Sequence, residues 1–194
     1  MPIPTSLVLA TRNSHKLREF GRLLAPAGVR VEPMPDTVTL PLEDGETFAA
    51  NALDKAQVAA AATGRAAIAD DSGIEAAALG GAPGVRSARY AGERASDEEN
   101  LAKLLREAPA GSGLRYVCAL AYVDPKTAAS AMFEGECRGE LAATPRGDGG
   151  FGYDPAFVPA EMPERTMAEL SDVEKDAISH RGHAVLALLG WLRH

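Results

Sequence analysis

Two carboxylates stand side by side at Asp70-Asp71, after the apolar run Ala66-Ala67-Ile68-Ala69 and before Ser72-Gly73. Adjacent carboxylates raise each other's cost of ionising unless a cation or hydrogen-bond donors share the site. Mg²⁺ is the natural cation for such a pair, because it is hard and prefers oxygen ligands. The same four residues are also good turn chemistry, with short polar side chains bonding their own backbone. The apolar run predicts a short buried strand that ends at the aspartates, where a turn begins.

Four further groups could do chemistry. Thr11-x-Asn13-x-x-Lys16 follows an apolar run and opens a helix, an arrangement that aims backbone N–H groups and a lysine at an anion. It lacks the glycines of a P-loop. Glu43 precedes a helix on which Thr47, Asn51 and Lys55 fall at i, i+4 and i+8, beside an alanine stripe. Glu43 could share a metal with Asp71, and Lys55 could neutralise a phosphate or the carboxylates. Gly149-Gly150-Phe151-Gly152-Tyr153-Asp154-Pro155 lets backbone approach a ligand and offers two aromatic faces for stacking a base. Asp154 there could accept from a base edge or cap the following turn. Lys175-Asp176-Ala177-Ile178-Ser179-His180-Arg181-Gly182 puts His180 and Arg181 at a helix start, where cations oppose the helix dipole. That local conflict points to another purpose, such as holding a base or a phosphate.

The elements that must position these groups alternate. Ser6 to Ala10 reads as a buried strand, and a helix from near His15 carries Leu17, Phe20, Leu23 and Leu24. Residues 29–42 read as an extended, proline-rich link. A helix from Thr47 ends at Gly64, and Ser96-x-x-Glu99 is a capping box opening another. Residues 114–123 read as a strand, and 131–141 as one or two strands split near Gly135 or Gly139. Ser171-x-x-Glu174 opens a short helix, and a last one runs from about Arg181. The class is α/β with a mixed sheet, in a single domain over 1–194.

Composition bounds the partners. The net charge of −7 excludes a broad nucleic-acid track, which needs a basic stripe. It leaves room for one small phosphorylated ligand held by a few lysines and a metal. Cys118 and Cys137 are the only cysteines and form no CxxC, so a reducing cytoplasm is expected. Met1-Pro2-Ile3-Pro4-Thr5-Ser6 lacks a basic stretch leading into an apolar one, so no signal peptide is expected, and no membrane association.

Taken in order, these blocks resemble the Ham1 family, the inosine triphosphate or non-canonical purine NTP pyrophosphatases. The matching stretches are Leu7 to Phe20, Glu43 to Lys55, Ile68 to Gly92 with Gly80-Gly81-Ala82-Pro83-Gly84 and Ser87-Ala88-Arg89-Tyr90, Gly149 to Pro159, and Ala168 to Gly182. The resemblance implies Mg²⁺-dependent hydrolysis of ITP, dITP and XTP to the monophosphate and pyrophosphate. It implies an elongated mixed sheet flanked by helices, two lobes with a central cleft, a likeness to Maf proteins, and a homodimer. Gly80 to Tyr90 is the segment expected at its contact. Thr11, Arg12, Asn13, Ser14, His15 and Lys16 match the phosphate-binding loop. Asp71 matches the catalytic carboxylate, with Asp70 and Glu43 as acidic neighbours at the metal, Ser72 a substrate contact, and Lys55 near the phosphates. Phe151, Gly152, Tyr153, Asp154, Lys175, His180 and Arg181 match the nucleoside-binding group. Many members carry glycine where this chain has Arg12 and His15, so those side chains are expected to point away from the phosphates, or Arg12 to add a contact.

On this reading Asp71 orients or deprotonates a water, while Lys16 and Lys55 stabilise the leaving group. His180 and Arg181 donate to a 6-oxo group that adenine lacks. A Maf-like pyrophosphatase with another base preference and a non-catalytic nucleotide sensor are the alternatives. Glu43, Asp70 and Asp71 together argue against the sensor.

Overall fold

The computed structural model describes residues 3–193. Met1 and Pro2, the start of the segment read for a signal peptide, lie outside the described residues, as does His194. The strands are β1 (Ser6–Leu9), β2 (Arg30–Pro33), β3 (Ala67–Ala76), β4 (Gly113–Asp124), β5 (Ala129–Leu141) and β6 (Phe157–Pro159). The helices are α1 (Ser14–Leu24), α2 (Phe48–Thr63), α3 (Asp97–Glu107), α4 (Asp172–Ile178) and α5 (His180–Leu192). One six-stranded sheet runs in the order β2-β1-β3-β4-β5-β6. Pairs β1–β2 and β1–β3 are parallel and β5–β6 is antiparallel, so the α/β class and the mixed sheet are as the sequence implied. Among the described residues no helix is long and apolar enough to cross a membrane.

The chain divides into two compact units. Unit 1 comprises Met1–Asp71, Cys118–Gly135 and Arg181–His194; unit 2 comprises Ser72–Val117 and Glu136–His180. Unit 1 is built on strand alternation, in which successive side chains point to opposite faces. Leu7, Leu9, Ile68, Cys118 and Leu120 pack with Phe20 and Leu24 of α1 and Val185 and Leu188 of α5. Val8, Ala67, Ala69, Ala119 and Ala121 pack instead with Ala52, Ala56, Ala59 and Ala60 of α2. Alanines on both sides let α2 sit close to the sheet. Unit 2 has its own core of Ile74, Leu101, Leu104, Leu114, Tyr116, Phe157 and Met167.

Most local expectations are met by the observed caps. Asn13 caps α1, Thr47 caps α2, and Ser96 and Ser171 each form a full capping box. Residues 131–141 form one unbroken strand within β5, the first of the two readings given for them. One expectation is corrected. Asp70-Asp71-Ser72-Gly73 is not a turn: β3 runs ten residues, straight through it. Turn propensity is local, and here it is overridden by long-range partners that receive both carboxylates.

Candidate functional site

Alternation along β3 separates the two aspartates. Asp70 falls on the face of Ile68, toward α1 and α5; Asp71 falls on the face of Ala67 and Ala69, toward α2. The two aspartates, expected as a pair at one metal, stand on opposite sides of the sheet.

On the first face, Lys16 Nζ lies 2.9 Å from Asp70 Oδ2 and Arg181 Nε lies 3.3 Å from the same oxygen. Arg181 Nη1 donates to Glu19 Oε2 at 2.9 Å. Burial pushes the Asp70 carboxyl up, but the charges of Lys16, Arg181 and Lys55 outweigh it and hold the group well below the usual carboxylate range. Arg181 is also held more firmly protonated than usual, because Asp70 and Glu19 outweigh its burial. Asp70 Oδ1 is buried with no hydrogen-bond partner among the described residues. Asp70 is thus a fixed anion that orients two cations.

On the second face, Asn51 Nδ2 donates to Asp71 Oδ2 at 2.8 Å, and Lys55 Nζ stands 3.9 Å from Asp71 Oδ1. Lys55 Nζ also donates to Glu43 Oε1, and to the Asp70 carbonyl at 2.8 Å. Burial raises the pKa of Asp71, and Lys55 and Asn51 do not cancel it. Burial also pushes Glu43 up, but Lys55 brings it below the usual range. Lys55 itself is buried, yet Asp70, Asp71 and Glu43 keep it an ammonium. Two neighbouring carboxyls whose environments drive their pKa values apart have separate roles available: Asp70 a permanent charge, Asp71 a proton acceptor.

Among the described residues no three His, Cys, Asp or Glu side chains converge on an ion. Mg²⁺ does not require that, since it commonly takes one or two carboxylates and fills its remaining positions with water and substrate phosphates. Glu43 and Asp71, hard oxygen donors gathered around Lys55, fit that pattern. Asp70, engaged by Lys16 and Arg181, fits it less well.

The loop ahead of α1 is tied internally. Asn13 Oδ1 accepts from the N–H groups of His15 and Lys16 at 2.8 and 3.2 Å, and Thr11 Oγ1 accepts from Asn13 N at 3.1 Å. Ser14 opens α1, and His15 Nδ1 meets Arg18 Nη2 at 2.9 Å. Arg12 turns to the 34–38 segment, where its guanidinium donates to the carbonyls of Met34, Pro35 and Val38 and pairs with Asp36 at 3.0 Å.

Unit 2 holds the aromatic loop. Asp154 accepts from Phe151 N at 2.9 Å, Tyr116 Oη at 3.0 Å and Lys175 Nζ at 2.6 Å. It therefore caps the turn and anchors Lys175. A side chain at Gly150 would place Cβ 2.0 Å from Asp154 Oδ2, so this pair needs glycine there. Lys175 Nζ sits 5.2 Å from the centroid of the Phe151 ring, within cation–π range. Tyr153 is buried and its hydroxyl donates to the Ser87 carbonyl at 2.7 Å, so it is a core anchor and not a stacking surface. Gly152 N donates to Asp97 at the start of α3. His180 stacks on Tyr116 at 4.7 Å, and Tyr116 on Phe157 at 4.3 Å. Ser72, half-buried on β3, belongs to unit 2.

The structure thus gathers Lys16, Glu43, Lys55, Asp70, Asp71 and Arg181 in unit 1, and Phe151, Asp154, Lys175 and His180 in unit 2. Arg181 Nε and Nη1 meet Asp70 and Glu19 in a buried network, much as Lys175 Nζ meets Asp154 in unit 2. Sequence reasoning missed Glu19, whose only signal is its i+3 spacing from Lys16. It noted Asn51 in a stripe without giving it a role, and had no signal for Tyr116.

The sequence model of the Ham1 family matches residues 7–191. A Geobacillus kaustophilus protein named dITP/XTP pyrophosphatase is 48% identical over 190 residues, covering 94% of this chain and 91% of that protein. A Mycobacterium tuberculosis protein of the same name is 46% identical over 206 residues, covering 100% of this chain and 98% of its own length. The solved structure of a HAM1 protein from Coxiella burnetii superposes with a TM-score of 0.84 at 41% identity, covering 97% of this chain and 98% of that one. With the family's sequence model spanning nearly all of it and relatives matching end to end, this chain belongs to the Ham1 family.

Proposed function

We infer that this protein is a nucleoside triphosphate pyrophosphatase that hydrolyses dITP, XTP and ITP to the monophosphate and pyrophosphate. The observation that carries the reading is the match of 94% or more of the chain to proteins named dITP/XTP pyrophosphatase. The charged cluster of unit 1 supports it, because it holds three cations, Lys16, Lys55 and Arg181, beside the carboxyl groups of Asp70, Asp71 and Glu43.

In the proposed reaction a water oxygen bonds to the α-phosphorus and the α–β anhydride bond breaks. The water's proton passes to Asp71, which stands beside Lys55 and accepts from Asn51. Lys16 and Lys55 face the negative charge that develops on the departing pyrophosphate. Asp70 keeps Lys16 aimed, and Arg181 with Glu19 keeps Asp70 in place. Glu43 and Asp71 are the residues that would hold Mg²⁺, which supplies further positive charge to phosphate oxygens when bound. Arg12 acts on the 34–38 segment and not on phosphate.

Base reading is assigned to unit 2. The Phe151 ring offers a stacking face, and Lys175 and His180 are donors for a 6-oxo group. A site built around donors leaves them unpaired opposite a 6-amino group, which is a strong basis for rejection. A homodimer in the cytoplasm completes the proposal, resting on the family resemblance. Separating the products of dITP turnover tests the bond cleaved: dIMP with pyrophosphate is expected, and dIDP with orthophosphate would contradict it.

A further inference from the structure

Asn51 lies between the two segments that carry the acidic groups of unit 1. Its Nδ2 donates to Asp71 Oδ2 at 2.8 Å, and its Oδ1 accepts from Gly45 N at 2.9 Å. The side chain is almost fully buried on α2, one turn before Lys55. Both ends of the amide are engaged, and an N–H can only be met by the oxygen, so the orientation of the group is fixed by its neighbours. Gly45 is pressed against it: a Cβ there would stand 2.5 Å from Asn51 Oδ1. Gly45 is two residues from Glu43, and Asp71 is the opposite carboxyl near Lys55.

We propose that Asn51 is a positioning residue that holds the Glu43–Gly45 segment and the Asp71 carboxylate in register, so that both carboxyls present their oxygens together to a divalent cation. The proposal rests on the pyrophosphatase reading for its reaction, but its geometry concerns cation binding and can be tested without a substrate. Groups that orient a ligand carboxylate typically change metal affinity or activity by ~10- to 100-fold when removed.

The test uses Asn51→Ala and Gly45→Ala in the full chain. Gly45→Ala leaves the amide in place but pushes it, and adds no charge. The first readout is binding of Mn²⁺ without nucleotide, followed by electron paramagnetic resonance. Half-saturation is expected ~10-fold or more higher in Asn51→Ala, and shifted in the same direction in Gly45→Ala. The second readout is turnover of dITP against Mg²⁺ concentration. A raised half-saturating Mg²⁺ and a lowered kcat are expected, with KM for nucleotide at saturating metal within ~3-fold of the parent. A purely structural role would lower the active fraction and leave half-saturating metal unmoved. Parent-like Mn²⁺ binding in folded Asn51→Ala would overturn the proposal. If that variant does not fold, parent-like binding in Gly45→Ala overturns it. A parent protein that binds Mn²⁺ but does not cleave dITP would instead remove the pyrophosphatase reading, and the Mn²⁺ comparison would still decide the role of Asn51.

Discussion

The two units solve different problems with different materials. Around Asp70 and Asp71, unit 1 places Lys16, Lys55, Arg181, Glu19 and Glu43, and almost every one of these charges is buried or half-buried. Unit 2 holds the buried ion pair Asp154–Lys175, set among stacked rings and a capped loop. Breaking an anhydride requires charge held at fixed points in a low-dielectric setting, where it acts most strongly. Reading a base requires a flat face and a few donors in fixed places. On the proposed function, the first unit governs how fast any nucleotide is cut, and the second which nucleotide is cut.

Asp71→Asn is expected to have the largest effect. Loss of the proton acceptor should cost ~10²–10⁴ in kcat for every nucleotide alike, with the melting temperature near that of the parent, because Asn51 can still donate to an amide oxygen. Steady-state rates on dITP and dATP, with a melting curve, check it. A variant that cuts dITP at the parent rate breaks the assignment of unit 1.

Arg181→Ala comes next. It leaves Glu19 and Asp70 as buried carboxylates short of a partner, which should cost ~3–5 kcal/mol of stability. Both substrates should lose kcat/KM together, with the dITP-to-dATP ratio unchanged. Urea denaturation and the two rate constants read this out, and a selective loss on dITP would return Arg181 to the base.

Phe151→Ala sharpens the other side. Stacking on an aromatic ring contributes ~1–3 kcal/mol per base, so kcat/KM should fall ~5- to 150-fold, carried mainly by KM. The ring is half-buried at a loop, so stability should barely move. A fall in kcat with unchanged KM would mean that the ring does not touch the base.

The smallest effect lies on α4. The hydrogen bond from Arg165, with those from Ser171, depresses the Glu174 carboxyl to about 2. A depressed folded pKa gives stability that is present above the unfolded carboxylate value, about 4.3, and lost as pH falls toward 2. Glu174→Gln should therefore lower the melting temperature most at pH 7 and progressively less as the pH falls through 4 and 3, flattening that part of the acid limb. Melting temperatures at pH 3, 4 and 7 would show it, and an equal drop at all three would exclude the titration as its source.

What the sequence revealed follows from how far each interaction reaches. Asn13, Thr47, Ser96 and Ser171 act within four residues of themselves, so their caps are readable from spacing alone. Asp70 and Asp71 were recognisable as chemistry, but their strand conformation and opposite faces depend on Lys16, Lys55 and Arg181, up to 111 residues away. Glu19 resembles any exposed helix residue until α5 brings Arg181 to it across a separation of 162 residues. Tyr153 shows the reverse case: its ring suggests a stacking face, yet the fold uses it to pin the loop to Ser87, while Asp154 takes the turn-capping role that its place before Pro155 also offers.

The most direct test of the account is kcat/KM of the purified parent chain on dITP, XTP, dATP and dGTP, each with Mg²⁺ and with EDTA. The account predicts pyrophosphate release from dITP and XTP at ~10² or more times the efficiency on dATP and dGTP, lost on chelation and restored by added Mg²⁺. Equal efficiency on all four nucleotides, or full activity in EDTA, would contradict it.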